Sequence, residues 1–270
     1  MILSLLHETH YRYDAPVRGV VQSHRLFPSE CEGQRVIDWR VEIDGAILGG
    51  SWRDGAGDRI QAVSVPGPLE ALVVRVRGRV ETLDTAGVLR GHRERINPLV
   101  YLRETTATAV DVALDALARA AVEGETDDLG RAHALARAVA GAIAYRPGVT
   151  HAHTTAAEAL AGGEGVCQDH AHALIAVARV AGMPARYVSG YLFATQDGTP
   201  HEAAHAWAEV WVTGLGWVGF DPANQCCADD RYIRLGSGLD ARAAAPIRGI
   251  ARGTAVESLD VQVAIDAAQQ

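Results

Sequence analysis

Cysteine is scarce in this chain: four in 270 residues, Cys31, Cys167, Cys226 and Cys227. So few over such a length exclude a disulfide scaffold. Cys226 and Cys227 are adjacent, and neighbours rarely bridge each other. At least one free thiol is therefore expected, which suits a reducing compartment. Long apolar runs are also missing. The opening MILSLL is six residues, with no basic stretch before it and no small-residue cleavage pattern after it. It cannot span a bilayer and makes a poor signal peptide. The expectation is a cytoplasmic protein that engages no membrane. A concentrated basic surface is lacking too: the formal net charge is −8 and arginine is spread widely, which argues against a nucleic-acid partner. Metal-ligand spacings of the C-x-x-C and C-x-x-C…H kinds do not occur.

What is present is an ordinary soluble composition, 48% hydrophobic and 21% charged, long enough for two modest domains or one large one. Residues 1–90 read as β structure. HETHYRYD alternates, with Thr9, Tyr11 and Tyr13 on one side. VIDWRVEIDG sets Val36, Asp38, Arg40 and Glu42 against Ile37, Trp39, Val41 and Ile43. LEALVVRVRGRVET is rich in β-branched residues, and WRDGAGD and PGP supply turns. Residues 91–105 read as a linker. From 106 the composition turns to Ala, Leu and Arg with helical spacing, over Thr108–Val122 and Asp127–Ala144. Thr155 and Glu158 have capping-box spacing. A further helix is expected from about Val166 to Ala181, stopped by Gly182 and Pro184. Three strand segments follow, ARYVSGYLF, HAWAEVWV and GWVGFD, closing a unit over 106–235. Residues 236–270 form a tail ending in an alternating strand, SLDVQVAID.

Chemistry concentrates in the second unit. GGEGVCQDHAHALIAVARVAG places Cys167 at the first turn of a helix, where unpaired backbone N–H groups and the helix dipole stabilise a thiolate. A buried structural cysteine fits this segment equally well. HAWAEVWVTGLGWVGFDPAN reads as a hairpin with His205 at its start and Asp221 at its end. His205, Trp207, Glu209 and Trp211 share one face; Ala206, Ala208, Val210 and Val212 share the other. A carboxylate beside an imidazole fixes its tautomer and supports its charged form. Cys167, His205 and Asp221 together supply the parts of a Cys-His-Asp triad.

These motifs, GVCQDHAH, AHAWAEVWV and GWVGFDPAN in that order, resemble the bacterial branch of the transglutaminase-like superfamily over about residues 110–230. HETHYRYDAPV and QSHRLFP, within 1–82, resemble the β-sandwich that precedes the core in that branch, and APIRG with the last strand fits the tail. The resemblance implies an α+β fold: an N-terminal antiparallel β-sandwich followed by a papain-like core with the nucleophile helix packed on an antiparallel sheet. It implies Cys167 as nucleophile, His205 as base and Asp221 as orienting acid, acting on amides of peptides or proteins. Hydrolysis is favoured over transamidation of glutamine, because water is abundant and amine selectivity needs a second site. A non-catalytic binding module is the reading from another class. No cofactor and no metal are expected; the calcium dependence of animal members is not carried over, since no D-x-D-x-D loop occurs.

Other residues invite duller readings. His151 and His153, His170 and His172, and His201 and His205 form close pairs, read as rim histidines rather than ligands. Asp169, beside Gln168, reads as a helix-dipole partner. Trp207, Trp211 and Trp217 read as core, and Cys226 and Cys227 as structural. Strand parity makes a sharper demand on the hairpin. A four-residue loop Thr213–Gly216 would put Asp221 opposite Ala208, on the wrong face from His205. An odd loop, with Val212 opposite Gly216, puts Asp221 opposite Trp207 and on the face of His205. An odd loop or a bulge is therefore expected.

Overall fold

The structure, a computed structural model, describes residues 1–194 and 204–267. Two long strands organise the N-terminal part: β1 (Ile2–His24) and β4 (Arg59–Thr82). They pair antiparallel over most of their length, with register shifts between Arg12 and Gly19. Bulges of this kind bend a sheet. β2 (Gln34–Ile43) lies along the later part of β4 and β3 (Ile47–Arg53) along its start. β2 and β3 thus join different lengths of one continuous antiparallel sheet built on β1 and β4. Alternation decides the faces: Leu3, Leu5, Tyr11 and Tyr13 of β1 are buried with Val74, Val76 and Val80 of β4.

The tail completes this sheet. β12 (Ile247–Ala251) pairs with the later part of β1, and β13 (Glu257–Ala267) with its first half, Leu3 facing Ala267. Val263 and Ile265 of β13 enter the same apolar cluster.

Between lie, among the described residues, four α-helices and a second sheet. The helices are α1 (Val112–Ala121), α2 (Asp128–Ala142), α3 (Ala156–Gly162) and α4 (Cys167–Val180). Asp111, Asp127 and Thr155 cap the first three, and Glu158 completes the box expected at Thr155. The α1 boundary falls later than the spacing suggested, because Thr106–Thr108 form a single 3-10 turn ahead of the Asp111 cap. A short parallel pair, β5 (Ala144–Tyr145) and β6 (Glu164–Gly165), ties the end of α2 to the approach to α4. The second sheet contains β7 (Ala185–Leu192), β8 (Ala204–Val212), β9 (Gly216–Asp221), β10 (Cys226–Cys227) and β11 (Tyr232–Gly238) in the order β10-β9-β8-β7-β11. α4 packs on β8, and Ala206, Ala208, Val210 and Val212 join its apolar cluster. Small side chains at 206 and 208 let the helix approach closely. The chain is therefore α+β, with a helix-on-sheet core behind an antiparallel sheet. Among the described residues, no helix is long and apolar enough to cross a membrane.

The two sheets meet through apolar and ionic contacts. Tyr191, Ile233 and Leu235 of the second sheet belong to the apolar cluster of the first. Beside them lies a buried ion network. Glu209 accepts from Arg186 Nε at 2.6 Å and from Arg234 Nε at 2.8 Å. Arg234 also reaches Asp58 Oδ1 at 3.0 Å, and Arg186 also reaches Glu94. Burial works to raise the Glu209 carboxyl, but Arg234 and Arg186 hold it at about 2. These partners come from four separate regions of the chain, so the network pins both sheets and the 91–105 segment together.

Candidate active site

Cys167 opens α4. Gly163 ends α3 in the left-handed region at φ +67, where a side chain would be strained. At Gly165 a Cβ would stand 2.8 Å from the Asp169 side chain, so glycine lets the chain lie against that acid. Asp169 is fully buried. Its Oδ2 accepts from the Val166 N–H at 2.8 Å and from the Thr150 hydroxyl at 2.7 Å. The acid expected to serve the helix start thus also satisfies a backbone donor ahead of Cys167 and anchors the preceding loop. Gln168 donates to the Ala152 carbonyl at 3.3 Å.

His205 begins β8 and Asp221 ends β9. Val212 faces Gly216 and Ala208 faces Phe220, so Thr213–Leu215 form a three-residue loop. Gly214 and Gly216, at φ +83 and +86, take up backbone that other residues adopt with strain. Asp221 falls on the face of His205, and its Oδ2 accepts from His205 Nε2 at 2.6 Å. Both side chains are about 1% exposed, so water does not compete for this bond. The Cys167 thiol is a further hydrogen-bond partner of the His205 ring. The structure therefore brings all three sequence-predicted residues together. Burial pulls the His205 imidazole down, yet the bonds to Asp221 and Cys167 outweigh it and push it up to about 10. Burial also works to raise Asp221, but bonds from His205, Asn224 and Tyr232 leave it below the usual carboxylate range.

Four side chains around the triad escape a reading of the sequence. Asn224 Nδ2 and the Tyr232 hydroxyl donate to Asp221 Oδ2 at 2.7 and 2.8 Å. Tyr145 and Tyr187 lie within electrostatic range of Cys167; burial first, and negative charge at Cys167 second, raises both phenols. Only Asn224 carried a signal, as the last residue of DPAN. Of the tryptophans, Trp207 is buried and lies near-parallel to the His205 ring at 6.3 Å. Trp217 is buried at the other end of the hairpin, under the Arg186 guanidinium at 4.0 Å, and Trp211 packs against it.

The other histidines stand apart. His172 is buried, accepts from the Ala241 N–H at 3.0 Å, and is pushed down by burial to about 4. Both His170 nitrogens face backbone carbonyls, of Val166 and Ile143, at 2.9 Å. His151 and His153 sit together on an exposed loop, and His201 lies outside the described residues. Among the described residues, no group of three or more His, Cys, Asp or Glu side chains is placed to hold a metal ion. Cys226 and Cys227 are free thiols on β10, and burial raises Cys227 to about 11.

Known proteins place this arrangement. Residues 115–222 match the family model of the transglutaminase-like superfamily, and residues 3–81 that of the bacterial transglutaminase-like N-terminal region. An uncharacterised Mycobacterium leprae protein is 32% identical over 284 aligned positions, covering 97% of this chain and 98% of its own length. A protein-glutamine gamma-glutamyltransferase of Pseudomonas aeruginosa is 31% identical over 135 positions, 42% of this chain and 19% of that protein. The crystal structure of a proposed cysteine protease from Cytophaga hutchinsonii shares the fold, with a TM-score of 0.76, 19% identity, and coverage of 100% of this chain and 92% of that one. The chain belongs to the transglutaminase-like superfamily, in the form that carries the bacterial N-terminal region.

Proposed function

We propose that this protein is a thiol-dependent acyl-transfer enzyme acting on amide bonds of peptides or proteins, with Cys167 as nucleophile, His205 as acid and base, and Asp221 as the carboxylate that orients His205. The observation that carries this reading is the buried 2.6 Å bond from His205 Nε2 to Asp221, on a ring whose other partner is the Cys167 thiol. With Nε2 committed to Asp221, Nδ1 is the nitrogen that exchanges a proton with sulfur. The Cys167 thiolate attacks the amide carbonyl carbon. The tetrahedral oxyanion takes hydrogen bonds from the α4 N-terminus, with the Cys167 N–H as first donor. His205 passes its proton to the departing amine, leaving a thioester on Cys167. Water, deprotonated by His205, then hydrolyses the thioester and regenerates the thiol.

Hydrolysis is the favoured outcome, since water is abundant and amine selectivity needs a dedicated second site. Transamidation is the second reading, favoured by the likeness to the Pseudomonas aeruginosa gamma-glutamyltransferase over 42% of the chain. Four free thiols suit a reducing compartment, and we assign the protein to the cytoplasm on that ground. The deciding experiment is mass spectrometry of a diverse peptide library incubated with the protein, with and without a primary amine. Cleaved or deamidated peptides in both samples support hydrolysis. Amine adducts in the second sample alone replace it with transamidation. An untouched library, together with a Cys167 inert to iodoacetamide near neutral pH, would leave a binding module.

A further inference from the structure

Asp221 Oδ2 accepts three hydrogen bonds, and the mechanism above uses one. The others come from the Asn224 amide at 2.7 Å and the Tyr232 hydroxyl at 2.8 Å. Asn224 lies three residues on, and its own N–H donates to Asp221 Oδ1 at 3.2 Å. Tyr232 is different: it sits on β11, with β7 and β8 between it and β9. We propose that Tyr232 is a positioning residue of the triad, whose hydroxyl fixes the rotamer of Asp221 and shares its negative charge so that Oδ2 stays aimed at His205 Nε2. This inference rests on the triad reading.

The surroundings hold the ring where this needs it. Tyr232 is 5% exposed and meets Trp207 edge to face at 5.3 Å and His205 at 5.9 Å. Gly190 on β7, opposite His205 in the ladder, makes room. A Cβ there would stand 2.7 Å from the Trp207 ring, which occupies that space and backs Tyr232. A carboxylate only accepts, so the phenol must be the donor. Burial, then the charge of Asp221, raises the phenol far above its ordinary range, so it keeps its proton. Cys226 Sγ lies 3.3 Å from the same hydroxyl, and the Arg231 guanidinium 5.9 Å from the ring. A hydroxyl that merely satisfied its own burial could have taken the thiol alone. The bond to Asp221 instead links Tyr232, Asp221, His205 and Cys167 in series.

The test needs no substrate: it is the rate of carbamidomethylation of Cys167 by iodoacetamide from pH 4 to 10, followed by mass spectrometry. In this reaction the thiolate displaces iodide and a carbon–sulfur bond forms. Without the hydroxyl, Asp221 is less well neutralised, so the anions near it hold protons more tightly. Tyr232→Phe is expected to move the midpoint up by about half a pH unit and to slow the plateau about tenfold through a looser His205. Circular dichroism checks its fold. Site-specific 3,5-difluorotyrosine at 232, a stronger donor of nearly the same size, should move the midpoint down, and it carries the test if Tyr232→Phe does not fold. An unchanged midpoint in both proteins, or shifts of the same sign, would overturn the proposal. A wild-type Cys167 no more reactive than Cys226 or Cys227 would overturn the triad reading, and this proposal with it.

Discussion

At the scale of single residues, four of the five buried histidines among the described residues divide into two kinds. His205 has a carboxylate partner and is raised to about 10; His7, His24 and His172 do not, and burial lowers each to about 4. His7 nonetheless binds both the Tyr191 hydroxyl at 2.6 Å and Thr9 at 2.8 Å, joining β1 to β7 while neutral. A lowered histidine binds its proton less well folded than unfolded. Its contribution is therefore whole above the unfolded value of 6.5 and is lost as pH falls toward 4. Each such group forfeits up to roughly 3 kcal/mol over that window. His205 behaves oppositely: its contribution is whole below 6.5 and is lost as pH rises through about 10. Urea midpoints at pH 7, 5.5 and 4.5 should fall steadily, and His172→Gln should flatten that fall; an unchanged slope would show that His172 is not buried neutral. For catalysis, Cys167→Ala should abolish turnover while moving stability by less than about 1 kcal/mol. Asp221→Asn should retain the fold and lose about a hundredfold or more in kcat, by analogy with the serine triad. Turnover assays beside thermal melts check both.

At the scale of elements, parity made the hairpin legible in advance. A period of two and the need for His205 and Asp221 on one face required an odd loop, and the loop is Thr213–Leu215. The helix-start thiol was legible for a similar reason, since Cys167 and the glycines that deliver it are neighbours in sequence. What could not be read is whatever depends on distant partners. Glu209 shares a strand face with His205, yet nothing in AHAWAEVWV says that Arg186, Arg234, Asp58 and Glu94 converge around it. Tyr232 is hidden likewise, because two strands of the sheet lie between it and its partner. The network makes a strong claim about stability. Glu209→Gln leaves Arg186 and Arg234 short of a buried counter-charge, a loss of about 3–5 kcal/mol. A urea midpoint within error of wild type would remove the network from the account of how the sheets are held together.

At the scale of the whole molecule, composition bears on the choice between water and amine. All 25 basic residues are arginine; the chain contains no lysine. A transamidating enzyme of this sequence has no side-chain amine of its own to join. Incubated alone at high concentration it should form no isopeptide-linked multimers, even if an added amine is incorporated into a partner. Denaturing gels and peptide mapping check this. The tail matters at the same scale. Truncation before Ile247 would strip β12 and β13 from β1 and remove Val263 and Ile265 from the cluster that also holds Tyr191 and Ile233. The truncated chain should aggregate or melt at markedly lower temperature, read by size-exclusion chromatography and calorimetry.

That pairing of β13 with β1 also sets a schedule. On the ribosome β1 is made more than two hundred residues before β13, with Cys167, His205 and Asp221 encoded between them. While Cys167, His205 and Asp221 emerge, one edge of β1 remains open to any other strand. Such long-range closures form slowly and leave edges exposed in the interval. That edge of β1 therefore stays without its native partner until β13 has been made. Because Leu3 and Ala267 end side by side, a circular permutant that joins the two ends with a short linker would make β13 and β1 consecutively. It should refold faster than the natural order, with its active site unchanged.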